Sequence, residues 1–183
     1  MFNSGKIDIE QKLTALGIHM IDKGTNDEFR QLAHETASAL KPTQIEKLAH
    51  YLHNPPKQPE KYSFDQLGLG GWMSVCQFCI FETWFQKGTS SLPIIRKFAW
   101  GEYDWSQGNA IELLIRFAAK GVETEAIIEE IVQKFPDIRY EAQLYSIQPL
   151  LPDIDADSAL ADLFHRLRQE IPDFEDSYQE LME

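Results

Sequence analysis

Apolar residues recur at three- and four-residue intervals along nearly the whole chain, and no run alternates apolar and polar residues long enough to form a strand. The pattern predicts an all-α fold of about eight to ten helices. Over residues 8–21, Ile9, Leu13, Leu16 and Met20 share one face, and Lys23-Gly24 stops the helix. Thr25-Asn26-Asp27-Glu28 has the form of a capping box, in which the Thr hydroxyl accepts from an orphan amide while Glu reaches back. It opens a second helix with Phe29, Leu32, Ala33, Thr36 and Leu40 inward. Pro42-Thr43 is expected to end that helix. Thr43-Gln44-Ile45-Glu46 then forms another box, ahead of Ile45, Leu48, Ala49 and Leu52.

The clearest break is His53-Asn54-Pro55-Pro56-Lys57-Gln58-Pro59-Glu60-Lys61, with three prolines and no apolar residue outside them. A short helix is expected from Ser63, then a glycine-rich turn at Gly68-Leu69-Gly70-Gly71. Residues 72–86 are apolar on most of the helical circumference, which predicts a central helix. Beyond Lys87-Gly88 the helices come in pairs. Ser91 and Ser106 are read as N-caps, Gly121 as a helix stop, and residues 126–135, 138–150, 158–170 and 174–181 as helices. The expected organisation is a single helical domain, 1–183. An N-terminal lobe 1–54, a proline-rich loop 54–62 and a helical lobe 63–183 are its natural subdivisions.

Phe135-Pro136-Asp137-Ile138 recurs 36 residues later as Ile171-Pro172-Asp173-Phe174. Each copy ends one periodic helix and starts another, since Pro cannot continue a helix ladder and Asp caps a new start. Ile138-Arg139-Tyr140-Glu141-Ala142 is similar to the second-helix pattern of HEAT-type repeats: an aliphatic residue, Arg, then Ala three positions on. The resemblance spans residues 90–183 and implies antiparallel helical hairpins stacked as a short solenoid. The last unit, from Phe174, lacks both Arg and Ala, and an irregular helical bundle satisfies the same periodicity.

Charge changes the picture. Residues 1–121 hold equal numbers of acidic and basic side chains, whereas residues 122–183 hold 4 Lys+Arg against 16 Asp+Glu, a difference equal to the whole formal charge of −12. Such a field repels phosphate backbones and favours a basic protein partner. The most apolar stretch, 72–85, is too short to span a bilayer and contains Gln77 and Glu82. Met1 to Asp8 shows no basic patch followed by an apolar run, so no signal peptide is expected. Two cysteines make no disulfide framework, which fits a reducing cytoplasm.

Three groupings are candidates for function. Trp100, Tyr103 and Trp105 crowd a turn with Glu102 and Asp104, and with Asp137, Glu141, Asp173, Glu175 and Asp176 they form a candidate surface for a basic partner. The same aromatics could line a small-molecule pocket. His50 and His53 with Cys76 and Cys79 have spacings compatible with a tetrahedral zinc or a redox pair. The cysteines nevertheless fall well inside an apolar helix, where Cys packs as a small apolar group. Asp153, Asp155 and Asp157 open like a calcium loop but lack the Gly and Glu it needs, and read better as carboxylates at a helix start. No nucleophile, metalloprotease or phosphate-loop motif is present. The expectation is a non-catalytic interaction module without cofactor. In size and charge the chain is similar to small acidic inhibitors and immunity proteins; the alternatives are a zinc or redox protein and a small-molecule binder.

Overall fold

Asp8 accepts from the Gln11 amide at 3.3 Å and starts helix α1 (Ile9–Lys23). This computed structural model describes residues 8–62, 67–68, 70–102 and 104–183, so the helix expected from Ser63 lies largely outside them. The fold is all-α, with no strand among the described residues. It divides into two compact units, Met1–Ser91 and Leu92–Glu183. The division therefore falls after Ser91 and not at the prolines.

In the first unit, α2 (Asp27–Ala39) is capped by Asn26, whose Oδ1 accepts from the Phe29 amide at 2.9 Å. The box is thus shifted one residue from Thr25. Pro42 does not end α2 but occupies the first position of α3 (Pro42–Leu48), where its missing N–H leaves no bond unmade. The Lys41 amide instead donates to Gln44 Oε1 at 3.0 Å. A 3-10 turn, Ala49–Leu52, follows.

Helix α4 (Gly71–Lys87) is the central helix that its composition predicts, and it packs on α1, α2 and the 49–52 turn. Its start is made by Gly70 in the left-handed region, φ 73°. Two indoles lock it in place: Trp72 Nε1 donates to Pro56 O at 2.7 Å, and Trp84 Nε1 to Ile45 O at 3.1 Å. The proline segment is thereby tied down, with Pro56 buried. Gly17 lets the Trp72 ring lie against α1, because a Cβ there would come within 2.7 Å of it. The Ser91 hydroxyl turns back to Trp84 O at 2.6 Å and Gly88 O at 2.7 Å, its one proton shared between the two carbonyls.

The second unit has its own central helix, α6 (Gln107–Ala119), which α5 (Leu92–Ala99), α7 (Thr124–Lys134), α8 (Tyr140–Ile147) and α9 (Ser158–Glu170) surround. Ala110, Ile111, Leu113, Leu114 and Ile115 are fully buried. Gly121, φ 78°, ends α6 with Val122 N bonding Phe117 O and Gly121 N bonding Ala118 O, the paired bonds of a Schellman motif. Asp157 caps α9 by accepting from Ala159 and Leu160 amides, as expected for a carboxylate at a helix start.

The two Pro-Asp turns differ locally. Pro172 is the first residue of α10 (Pro172–Met182), whereas Pro136 lies in a 3-10 turn and Ile138 is extended. Helix α8 consequently begins at Tyr140 and is shorter than the expected 138–150. Pro149 ends it early because it has no N–H to continue the ladder, and a 3-10 turn covers Gln148–Asp153. Behind these turns, Phe135, Phe164 and Phe174 form a ring cluster with centroids 5.2 and 5.4 Å apart. Gln143 donates to Phe135 O at 3.0 Å and accepts from Ser177 at 3.2 Å, so the buried amide is satisfied on both ends.

Candidate functional site

The aromatic turn between α5 and α6 divides into an inner and an outer part. Trp100 is half-buried: its Nε1 donates to Glu130 Oε2 at 2.8 Å, and Lys134 Nζ stands 5.2 Å from its ring centroid. Glu130 Oε1 in turn accepts from Arg96 Nε at 2.8 Å, and Arg96 reaches Glu123 at 2.9 Å. Arg96, Glu123 and Glu130 escaped sequence reasoning because they are 34 residues apart at the extremes and carry no motif. Asp104 is half-buried. It accepts from the Ser106 amide and hydroxyl, and Ser106 holds the N-cap position of α6 without a side-chain bond to the helix amides. Tyr103 lies outside the described residues.

Trp105 forms the outer part. It is 68 % exposed, the most exposed large apolar side chain described, and its ring lies 6.4 Å from that of Tyr145, itself 42 % exposed. Sequence reading did not single out Tyr145. It comes beside Trp105 because α8 lies hard against α6 at Gly108: a Cβ on Gly108 would meet Tyr145 Cβ at 2.6 Å and Ala142 O at 3.0 Å. Glu141 is exposed one turn before Tyr145 on the same helical face, and Glu102 is exposed three residues before Trp105.

The other acidic candidates are placed elsewhere. Asp137 is exposed and lines a cleft with Trp100. Asp173, Glu175 and Asp176 belong to the start of α10. Glu175 is already engaged by Arg168 at 2.5 and 3.1 Å and by Gln179 at 2.6 Å, and the Arg168 guanidinium pulls its carboxyl down to about 2. Arg166 bonds both Glu125 and Glu170. Two of the four cations in residues 122–183 are thus held in local ion pairs, while Glu129, Glu141, Asp155, Asp162 and Asp176 face solvent.

In the first unit, α4 does face the end of the 49–52 turn, as a joint His–Cys site would require. The contact is made by Gln77, which donates to Leu52 O at 2.9 Å. His50 and His53 are exposed, whereas Cys76 and Cys79 are wholly buried. Among the described residues no three His, Cys, Asp or Glu side chains come together as ligands. Burial pushes the Cys76 thiol up to about 12 and Cys79 further in the same direction. A thiolate is the reactive form, so neither cysteine is poised as a nucleophile. Ellman's reagent at pH 8 is expected to label neither cysteine in the folded protein and both in denaturant; rapid labelling of one under native conditions would contradict this placement.

Among the described residues no helix is long and apolar enough to cross a membrane. Compared with protein-family models, curated proteins and solved structures, the chain matches none.

Proposed function

We propose that the second unit is a non-catalytic interaction module that takes a basic protein surface, with Trp105 and Tyr145 as its apolar anchor. The observation that carries this reading is the exposed aromatic pair. Large aromatics are rarely left in water without use, and Trp and Tyr dominate the energetics of protein contacts because they offer area at low entropy cost. Glu102 and Glu141 flank the pair, and the surrounding acidic field would draw in and orient a cationic partner. An inhibitor or immunity-type protein that neutralises a basic partner is the specific form of this reading.

The test is a pull-down followed by kinetics on the captured partner. Association is expected to slow by about tenfold as ionic strength rises from low to high. Trp105→Ala should weaken the complex by about 30-fold, mainly through faster dissociation, since a central aromatic anchor is worth about 2 kcal/mol. An association rate indifferent to salt, or an unchanged affinity for Trp105→Ala, would overturn the proposal.

A further inference from the structure

Guanidinium, carboxylate and aromatic ring already meet once within the second unit. The Arg168 guanidinium lies 4.1 Å from the Tyr178 ring centroid and donates twice to the Glu175 carboxylate. The chemistry favours arginine for this double contact. Its head group is planar and weakly hydrated, so one face stacks on a ring while the edge donates to an acid. Lysine carries a compact, strongly hydrated charge and has no face to stack.

Trp105 and Tyr145 present the same ingredients to solvent. Their rings are tilted by 51°, so they do not cover one another face to face, and both side chains are exposed. Glu102 stands three residues before Trp105 and Glu141 four before Tyr145, and both are exposed. Among the described residues neither carboxylate enters an ion pair or a side-chain hydrogen bond. Elsewhere in the unit Arg96, Arg116, Arg166 and Arg168 are all bonded to other glutamates.

We propose that this surface takes an arginine side chain of the partner, its guanidinium stacked on the Trp105 ring and paired with the carboxylates of Glu102 and Glu141. The assignment rests on the reading of this face as an interaction surface and names the group that it holds.

The experiment titrates the full chain with acetyl-Gly-Arg-Gly-Arg-Gly-Arg-amide at low ionic strength, up to about 10 mM, a level that detects even weak sites. Two further peptides carry lysine, or the planar but uncharged citrulline, in place of every arginine. Calorimetry gives the affinities, and the indole N–H resonances locate the site, that of Trp105 being the one missing from Trp105→Ala. The arginine peptide is expected to shift the Trp105 resonance and to bind at least about fivefold more tightly than the lysine peptide, with the citrulline peptide weakest. Trp105→Ala should abolish the preference for arginine over lysine. The double variant Glu102→Gln, Glu141→Gln should weaken the arginine peptide at least about threefold. All three positions are exposed, so the circular dichroism spectrum should not change. Equal affinity for the arginine and lysine peptides, both weakened in Trp105→Ala, would overturn the arginine assignment and leave the basic-partner reading standing. No binding of the arginine peptide, or binding indifferent to Trp105→Ala, would overturn it as well. The salt dependence and Trp105→Ala affinity of the captured partner then decide the broader reading separately.

Discussion

Replacing Trp84 with alanine is expected to remove about 4–5 kcal/mol of unfolding free energy, read as a large fall in the urea midpoint. The indole is wholly buried and stacks edge-on against Phe81, with ring centroids 5.4 Å apart at 84°. Truncation leaves a cavity in the centre of the first unit and also strips Ile45 O of its donor. Trp84→Phe separates the two effects. It keeps most of the volume and loses the N–H with a smaller part of the ring, so a loss of about 2 kcal/mol is expected. Equal losses for the two variants would show that the hydrogen bond, and not the packing, governs this position. A protein with the usual 5–15 kcal/mol of stability would be brought close to its threshold by the alanine variant.

Gly108→Val is expected to destabilise the protein by about 3 kcal/mol and to disrupt partner binding at the same time. The new side chain has no room: its Cβ would lie 2.6 Å from Tyr145 Cβ and 3.0 Å from the Ala142 carbonyl, and the second of these is backbone. Helix α8 must therefore move as a body, carrying Tyr145 away from Trp105. Gly108→Ala meets the same contact but gains about 1 kcal/mol of helix propensity, so its net loss should be smaller, about 1–2 kcal/mol. Denaturant midpoints check the stability, and affinity for the captured partner checks the geometry. A Gly108→Ala variant as stable as the parent and unchanged in binding would show that α6 and α8 are not held apart by this contact.

The Gly108 contact also shows where sequence reading stops. A glycine in the first turn of a helix carries no local signal of a crossing helix, and nothing in Tyr140-Glu141-Ala142-Gln143-Leu144-Tyr145 announces which residue will meet Trp105. The aromatic turn itself was legible, because Trp100, Tyr103 and Trp105 lie within six residues. Its division into an anchored Trp100 and an exposed Trp105 was not, since that depends on Glu130 reaching back from α7. Caps were legible as a class but misassigned by a residue or two. Asn26 and the Gln44 side chain do what Thr25 and Glu46 were expected to do, and Ser106 holds its N-cap position without a side-chain cap bond, because several neighbouring polar side chains compete for the same orphan amides.

Periodicity of 3.6 residues determines the helices by itself, because each must bury one apolar stripe whatever its neighbours are. That is why the all-α class, the central helix 71–87, the Gly121 stop and the start of α9 at Ser158 follow from the order of residues alone. Helix 107–119 was legible between Ser106 and the Gly121 stop, but its central place was not, because Gln107, Asn109, Glu112 and Arg116 interrupt its apolar surface. The Trp105–Tyr145 pair and the Arg168 guanidinium over the Tyr178 ring were likewise decided only in three dimensions. Their partners come from other helices, and contacts between distant segments depend on how helices cross, which a local pattern does not encode.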